Sequence, residues 1–321
     1  MKVVSEFRPR HPVHHAVNLA IGVFDGIHRG HQRVLKQTIA EARTVGGQSW
    51  VLTFNGHPRR LLSPHTAPPL LTSLPHKLNL LNEFKIDGCL VVPFTRQLAA
   101  LTPARFVKLL TGTFPRLNRI LVGSNWRFGR GGSGTPDTLA QFGAQHGFSV
   151  SVIAPAQLYG AVISSTRIRA AVTSGHLAEA RNMLGRPFSV MGTVVTGRGI
   201  GRKLGFPTAN LKIGNEVLPP SGVYAVWVRM GRKVRTGVAN IGTHPTFHAA
   251  SSLKKTPTLE VHIFDFKTRL RGHSLEVFFV RKLRNEHCFA SLQALIRQMQ
   301  RDSTRARRIL AGKNFELTRP A

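Results

Sequence analysis

Two histidines, His28 and His31, are three residues apart in the glycine-rich stretch GVFDGIHRGH. This stretch follows an apolar run and precedes residues with helical spacing, so it should form a tight loop entering a helix. Glycines let the backbone approach a phosphate closely, and a helix start directs N–H groups toward that anion. Two imidazoles placed there can donate hydrogen bonds to phosphate oxygens during an in-line displacement in which the substrate itself attacks. The pattern therefore indicates nucleotidyl transfer.

Two other interpretations apply to an isolated HxxH pattern. The histidines could be polar surface residues near a turn, or they could bind zinc together. A zinc site is not favoured, because the chain has no HExxH string and no evident third ligand nearby.

A second candidate for phosphate binding is ISSTRIR, residues 163–169, in which hydroxyl side chains open a helix. Ser164, Ser165 and Thr166 can cap that helix while an arginine, Arg169, holds an outgoing pyrophosphate. Taken alone, such a string is more often an ordinary helix cap.

The most specific string is GRGIGRKLGFPTANL, residues 197–211. Its glycines permit close wrapping around a nucleotide. Thr208 and Asn210, which flank Ala209, are suited to hold a metal ion and phosphate oxygens. A Gly/Pro-rich connection between strands is the alternative, and a Rossmann fingerprint would require a helix directly afterwards.

These strings resemble known signatures. GVFDGIHRGH resembles the HxGH signature of the nucleotidyltransferase superfamily, and ISSTRIR resembles the second phosphate motif of bacterial FAD synthetases. GSNWRFG, residues 123–129, resembles a flavin/nucleotide loop, and FPTAN resembles the riboflavin kinase signature. SGVYAV, GVANIGTHPTF, LEVHIFDF and LRNEHCF follow in the order of that family. Almost end to end, the chain resembles the bacterial bifunctional riboflavin kinase/FAD synthetase family.

The resemblance implies two ATP-dependent steps that both use Mg²⁺. Riboflavin becomes FMN in the C-terminal domain, and FMN becomes FAD, with release of pyrophosphate, in the N-terminal FMN adenylyltransferase domain. It implies catalysis by His28 and His31 in adenylyl transfer, and by Glu260 in the kinase, where a carboxylate would orient and deprotonate the attacking ribityl hydroxyl. An outward-facing residue on an alternating strand is the plainer interpretation of Glu260.

The same resemblance implies the binding residues. In the adenylyltransferase, ATP and phosphate would be bound by Gly22, Phe24, Asp25, Gly26, Gly30, Ser164, Ser165, Thr166 and Arg169, with a flavin/nucleotide loop at Asn125, Phe128 and Gly129. In the kinase, ATP would be bound by Gly197, Gly199, Gly201, Lys203, Gly205 and Pro207, a metal by Thr208 and Asn210, and flavin by Arg284 and Glu286.

The chain departs from the family pattern at a few positions. Asn55 and Gly56 stand where an acidic residue and a proline are usual, and Arg269 and Arg271 stand where the family has an acid and an aromatic residue. Two further differences are Cys288 in place of a common lysine and Val23 in place of the more frequent asparagine. We expect these changes to alter substrate affinity more than activity.

The first half of the chain alternates strand and helix patterns. A strand at 17–23, a helix at 30–45 and a strand at 50–54 form a βαβ unit, which predicts a parallel sheet. Strands at 89–94, 120–122 and 148–153 and helices at 78–84, 103–110, after Ser165 and after His176 continue the pattern. Residues 1–185 are therefore predicted to form a doubly wound, Rossmann-like α/β domain.

The rhythm changes at Gly185-Arg186-Pro187. Short β-rich segments follow at 188–195, 223–228, 234–241, 259–264 and 275–280, and a helical segment at 291–311 closes the chain. Residues 186–321 are therefore predicted to form a small antiparallel barrel with a terminal helix. This is the domain to which the resemblance assigns the riboflavin kinase.

The composition is strongly basic, with 45 Lys and Arg against 14 Asp and Glu, a formal charge of +31. Such a chain attracts polyanions, but its basic residues are scattered along the sequence rather than gathered in one block. We expect small-molecule substrates, no nucleic-acid contact beyond non-specific electrostatics, and at most a transient homo-oligomer.

Cys89 and Cys288 are far apart and lack a CxxC context, which suits a reducing cytoplasm. No apolar run reaches the ~18 residues of a membrane span, and we find no signal peptide. A cytoplasmic enzyme without membrane contact is expected.

Two alternatives to this function stay open. A cytidylyltransferase would share the FD..H.GH string but would leave PTAN and the second domain unexplained. A basic nucleic-acid-binding protein on a degenerate enzyme scaffold would lack both ATP-dependent activities and would bind polymer at moderate salt.

Overall fold

The computed structural model describes residues 1–7, 15–197, 199, 201, 204–242, 258–266 and 268–311. Lys203 and residues 243–247 of the GVANIGTHPTF string lie outside this described part. The chain divides into two compact units. The described residues of the first lie within Met1–Leu70 and Leu74–Ser165, and those of the second are Leu71–Ser73 and the described residues from 166 to 311. The functional boundary expected between residues 185 and 186 stays a prediction.

The first unit is built on a six-stranded parallel sheet in the order β1-β4-β3-β2-β5-β6. Its strands are β1 (Lys2–Val4), β2 (Val17–Ile21), β3 (Gln48–Phe54), β4 (Gly88–Val92), β5 (Leu117–Gly123) and β6 (Ser149–Ile153). Because β3 lies on one side of β2 and β5 on the other, the strand order reverses between β2 and β5. Open parallel sheets bind ligands at such a point, beyond the carboxyl ends of the strands.

Helices and short turns connect these strands. The helices are α1 (Arg29–Thr44), α2 (Arg59–Leu62), α3 (Leu74–Glu83), α4 (Arg96–Ala99), α5 (Pro103–Thr113) and α6 (Pro136–His146). Two 3₁₀ turns span Pro64–Thr66 and Arg130–Gly132, and a small hairpin joins β7 (Gln157–Leu158) to β8 (Ala161–Val162). Every residue of β2 and β4 is buried, as expected for strands of a parallel sheet with helices on both faces.

The second unit contains a closed six-stranded antiparallel barrel in the order β10-β13-β12-β11-β14-β9. Its strands are β9 (Ser189–Val195), β10 (Ala209–Lys212), β11 (Gly222–Met230), β12 (Lys233–Gly242), β13 (Thr258–Ile263) and β14 (Ser274–Arg284). Helices α7 (Ser165–Thr173) and α8 (Leu177–Leu184) precede the barrel, and α9 (Leu292–Ala311) follows it. On α9, Ala306 and Leu310 are buried in one cluster with Trp227 and Phe278 of the barrel.

The predicted fold class is confirmed for both parts of the chain. Sequence patterns missed β1, α6, the β7–β8 hairpin and β10, together with the four-residue helices α2 and α4. The omission of β10 matters most, because this four-residue strand carries the end of the PTAN string and closes the barrel between β9 and β13. Among the described residues, no helix is both long and apolar enough to span a membrane.

Candidate active sites

The loop between β2 and α1 has a strained backbone that packing holds in place. Phe24, Gly26 and Ile27 have φ angles of 50°, 83° and 39°. For residues with side chains, such angles cost on the order of 1–3 kcal/mol each. Phe24 and Ile27 are each 1% exposed, so the core fixes a conformation that the loop would not adopt alone. Strain of this kind concentrates at functional sites.

His28 and His31 are brought together as a stacked pair at the start of α1. Their ring centroids are 3.6 Å apart with an interplanar angle of 19°. His28 is the N-cap of α1, and its Nδ1 accepts a hydrogen bond from the backbone N–H of His31 at 3.4 Å. A Cβ on Gly30 would lie 3.1 Å from Cε1 of His28, so Gly30 leaves the space that this ring occupies. The positive end of the helix dipole favours an anion at this place.

The pKa of His31 is held well below its ordinary value. Burial is the main cause, and the positive charges of His28 and Lys77 add to it. Part of the His31 ring is exposed, but its Nδ1 is enclosed and has no hydrogen-bond partner within the described part of the chain. Neutral imidazole donates from only one nitrogen, and an arriving phosphate would favour uptake of a second proton. This arrangement suits a group that responds to negative charge on a substrate.

Lys77, which sequence reasoning did not select, ties this loop to the neighbouring strand. Its side chain is buried, and its Nζ donates to the carbonyl oxygen of Val23 at 2.8 Å. The same nitrogen is 3.2 Å from Oγ1 of Thr53 and 3.3 Å from the carbonyl oxygen of Phe54, both on β3. Burial lowers the pKa of Lys77 to about 8, while the nearby charge of Asp25 opposes that effect. The lysine is a positioning residue for the carboxyl ends of β2 and β3.

Ser165 of the ISSTRIR string is hydrogen-bonded to the histidine loop. Oγ of Ser165 donates to the backbone carbonyl of Asp25 at 2.9 Å, and the Asp25 residue is only 2% exposed. Ser165 is also the first residue of α7; Thr166 is exposed, and Arg169 is buried one turn later on that helix. Ser165 is therefore hydrogen-bonded to the loop that contains His28 and His31, which the sequence predicts to bind phosphate.

The loop after β5 stands beside the histidine loop at the point where strand order reverses. Its predicted residues differ in their surroundings. Asn125 is exposed at the end of the strand, whereas Phe128 is buried and stacks on Trp126 with ring centroids 4.7 Å apart. Phe128 also pairs its backbone with Gly134. Its side chain serves the core, and Asn125 is the better placed of the two to meet a ligand.

In the barrel, three polar side chains stand at paired positions on neighbouring strands. Asn210 of β10 and Asn240 of β12 are each directly paired with Glu260 of β13. Paired positions of a sheet place side chains on the same face. A Cβ on Gly197 would lie 2.0 Å from Nδ2 of Asn210, so only glycine allows this close approach. The structure thus joins the predicted metal ligand to the predicted catalytic carboxylate and adds Asn240, which sequence reasoning missed.

Two cavities meet at Thr208 and Asn210. The apolar cavity has a volume of about 350 Å³, and its walls include the side chains of Phe206, Val223, Val238, Phe289 and Leu295. Its polar lining includes three acids, Glu260, Glu286 and Asp302, together with Asn240 and Arg284. The arginine cavity, of about 360 Å³, is lined by Arg269 and Arg271 and has no carboxylate among its described lining residues. Gly199, Thr208 and Asn210 line both cavities.

Most of the residues predicted for the kinase line these cavities. Gly199, Gly201, Thr208, Asn210, Glu260, Arg284 and Glu286 line the apolar cavity. Gly197, Gly199, Pro207, Thr208 and Asn210 line the arginine cavity. Gly205, with a φ of 83°, lines neither, and Lys203 lies outside the described residues.

The end of β14 anchors the far wall of the apolar cavity. Nε of Arg284 donates to Oδ2 of Asp302 on α9 at 2.9 Å, and its guanidinium lies 5.6 Å from the ring centroid of Phe289. Oε1 of Glu286 accepts a hydrogen bond from Nδ2 of Asn240 at 3.2 Å. His262, another residue that the sequence did not single out, shares a hydrogen bond between Nδ1 and the carbonyl oxygen of Pro207 at 2.9 Å. That contact fixes the PTAN segment against β13.

The donor set where the cavities meet suits Mg²⁺. The hydroxyl of Thr208 and the amide oxygen of Asn210 are hard oxygen donors, and Mg²⁺ typically takes only one or two protein ligands beside waters and substrate phosphates. Within the described residues, no group of three or more His, Cys, Asp or Glu forms a dedicated metal cage. The site would therefore need a phosphorylated ligand to complete the coordination of an ion.

Family models match both halves of the chain: the model of FAD synthetase matches residues 10–167, and that of riboflavin kinase matches residues 184–310. The bifunctional riboflavin kinase/FMN adenylyltransferase of Escherichia coli strain K12 is 40% identical over 304 residues, which are 94% of each chain. The protein of that name from Pseudomonas fluorescens is 35% identical and covers 97% of this chain and 98% of its own.

A solved structure described as a macrolide-efflux protein from Streptococcus pneumoniae shares the fold over the whole chain. Its TM-score is 0.81 at 26% sequence identity, and the alignment covers 98% of this chain and all of that one. This likeness agrees with the fold class of each unit taken by itself.

Proposed function

The chain belongs to the bifunctional riboflavin kinase/FMN adenylyltransferase family, and on that premise we propose how its residues divide the two reactions. Riboflavin and ATP give FMN and ADP in the barrel domain. FMN and a second ATP give FAD and pyrophosphate in the N-terminal domain. We assign the adenylyltransferase to residues 1–185 and the kinase to residues 186–321.

The stacked His28–His31 pair is the observation that carries the adenylyltransferase assignment. In this reaction the phosphate of FMN attacks the α-phosphorus of ATP, and pyrophosphate leaves. The pair, at the start of α1, would donate hydrogen bonds to the phosphate oxygens as charge builds up. Gly22, Gly26 and Gly30 would let the backbone approach these oxygens, and the ISSTRIR hydroxyls with Arg169 would hold the leaving pyrophosphate.

The shared wall of the two cavities carries the kinase assignment. The apolar cavity suits an isoalloxazine ring, and the arginine cavity suits a nucleotide with its phosphates. The ribityl hydroxyl would then meet the γ-phosphate beside Thr208 and Asn210. Glu260 would orient that hydroxyl and accept its proton as the bond to phosphorus forms. Arg284 and Glu286 would hold the flavin.

We propose that Thr208 and Asn210 hold Mg²⁺ together with ATP. When bound, the ion would neutralise charge on the phosphate oxygens. The free thiols of Cys89 and Cys288 support a reducing, cytoplasmic location. We expect at most a transient homo-oligomer. The macrolide-efflux description of the structural neighbour is not carried over, because a shared fold does not transfer function.

A time course with riboflavin, ATP and Mg²⁺, resolved by chromatography, tests this division. FMN should rise first and then convert to FAD. His28→Ala with His31→Ala should stop FAD formation and leave FMN formation intact. Glu260→Ala should stop FMN formation, yet FAD should still form when FMN is supplied.

Two outcomes of this experiment would contradict the proposal. Equal loss of both activities in either variant, with circular dichroism unchanged, would contradict two independent sites. Accumulation of FMN without FAD in the unmodified protein would point to the Asn55 and Gly56 departures.

A further inference from the structure

The terminal helix α9 gathers arginines that are scattered in the sequence onto one face. Arg297, Arg301, Arg305 and Arg308 are all exposed, and with Gln300 and Thr304 they line one open depression. We call these four arginines the arginine face. Their spacing of four, four and three residues matches the period of an α-helix, so they run along the helix for about 16 Å.

The arginine face is separate from the flavin-binding machinery. At about 100° of rotation per residue, Leu295, Met299 and Asp302, which line the apolar cavity, point to the side of α9 opposite Arg297, Arg301 and Arg308. The proposed kinase reaction therefore gives these arginines no role.

Within the part of the chain that the structure describes, three of the four arginines of this face are not matched by an acid. Among the described residues, Arg297, Arg301 and Arg308 have no ion pair, and Nη1 of Arg305 donates to the backbone carbonyl of Leu283 at 2.8 Å. Asp302, the only acid of α9, is buried and bonded to Arg284 and Gln298 instead. Like charges four residues apart destabilise a helix, so the bare helix gains nothing from this arrangement.

We propose that the arginine face binds double-stranded nucleic acid through its phosphates, without sequence preference. Arginine forks match phosphate oxygens, and the exposed side of a helix fits a major groove about 12 Å wide. Gln300 and Thr304 add donors for phosphate. The face carries no aromatic residue on which unpaired bases could stack, which favours a duplex over a single strand. The excess of 45 basic over 14 acidic residues in the whole chain would add long-range attraction.

The test is fluorescence anisotropy of a labelled 20-base-pair DNA duplex, titrated with the full-length protein from 50 to 300 mM salt. The variant replaces Arg297, Arg301 and Arg308 with glutamine and spares the hydrogen-bonded Arg305. The matched control replaces Lys36, Arg43 and Arg105 with glutamine, so it loses the same charge from exposed positions elsewhere. FMN formation by all three proteins checks that the barrel is folded.

Loss of three phosphate contacts should lower the slope of log affinity against log salt by about 2.7. At 0.1 M salt, binding by the arginine-face variant should weaken about a hundredfold, while the control should change less than fivefold. FMN formation should stay within twofold in both variants.

Equal weakening in the two variants would overturn the proposal, because net charge alone would then explain binding. A single strand bound more tightly than the duplex would overturn the choice of duplex. If the arginine-face variant loses the ability to bind phosphatidylglycerol vesicles but still binds the duplex as wild type does, the face binds anionic lipid instead.

Discussion

The imidazole rings of His28 and His31 are stacked 3.6 Å apart, and their mutual repulsion helps keep His31 neutral. Two histidines in such close contact cannot readily carry two charges without a counter-ion. An anionic substrate would supply that counter-ion, so we expect the protonation of the pair to depend on substrate binding.

The depressed pKa of His31 predicts a pH dependence of stability. The unfolded chain binds a proton at this histidine near its ordinary pKa of 6.5, but the folded protein does not. Below that pH, proton binding stabilises the unfolded chain relative to the folded protein. The free energy of unfolding therefore decreases as pH falls, and His31 has no such effect above that pH. Urea unfolding between pH 5 and 8 should show wild type losing stability relative to His31→Gln as pH decreases. For the exposed His146→Gln, the free energy of unfolding should depend on pH in the same way as for wild type. The same pH dependence in His31→Gln and wild type would disprove the prediction.

Gly30→Ala tests whether the position of the His28 ring matters for adenylyl transfer. The added Cβ would lie 3.1 Å from Cε1 of His28, so this ring would have to shift by a few tenths of an ångström, although alanine suits the helix backbone. A misplacement of a reactive group by about 1 Å can cost about a hundredfold in rate, so this smaller shift should lower FAD formation by about threefold to tenfold. Gly112→Ala, in α5 with open space around it, should leave both activities unchanged. Equal FAD rates for the two variants would show that the stack is dispensable.

Lys77 predicts a second, alkaline pH effect. Its pKa is lowered to about 8 in the folded protein but stays near 10.5 in the unfolded chain. Between these values the unfolded state binds the extra proton, so stability rises with pH. In urea unfolding from pH 7 to 10, wild type should gain up to about 3 kcal/mol relative to Lys77→Met. Relative to the exposed Lys108→Met, wild type should show no such gain. If wild type also shows no gain relative to Lys77→Met, the burial argument is refuted.

The sequence predicted both folds, since hydrophobic periodicity decides whether a segment becomes a buried strand or an amphipathic helix. It also led to the prediction of His28, His31, Thr208 and Asn210 as site residues, because glycine-rich strings mark loops that can approach phosphates. The short strand β10 was missed, since only Leu211 of its four residues is buried and no alternation is visible. Its place is decided by its two neighbours in the barrel.

Contacts between segments far apart in the chain could not be predicted from local sequence patterns. Lys77 is an ordinary-looking lysine in α3, and only tertiary packing brings its Nζ to Val23 and Thr53. The only signal in the sequence was its helical spacing from Leu80 and Leu81, which places a lysine on the apolar face of α3. Asn240 likewise becomes a candidate site residue only because β12 pairs it with Glu260 of β13, and no local pattern predicts that register.

The departures Arg269 and Arg271 should strengthen nucleotide binding by the kinase. Both are exposed and line the arginine cavity, which has no carboxylate among its described lining residues. Two partly solvated charges facing a phosphate chain should together contribute about 1–2 kcal/mol. Arg269→Asp with Arg271→Tyr should therefore raise the KM for ATP in FMN formation about tenfold while kcat stays within twofold. The exposed Arg232→Asp, outside both cavities, should change neither.

Salt separates this electrostatic effect from a change in cavity shape. Exposed charges are screened as ionic strength rises, so the difference in ATP KM between wild type and the Arg269/Arg271 variant should shrink by 0.5 M salt. A difference that persists at high salt would assign the effect to packing by the tyrosine. If the KM for riboflavin rises instead and that for ATP does not, the two cavities hold the opposite ligands from those proposed.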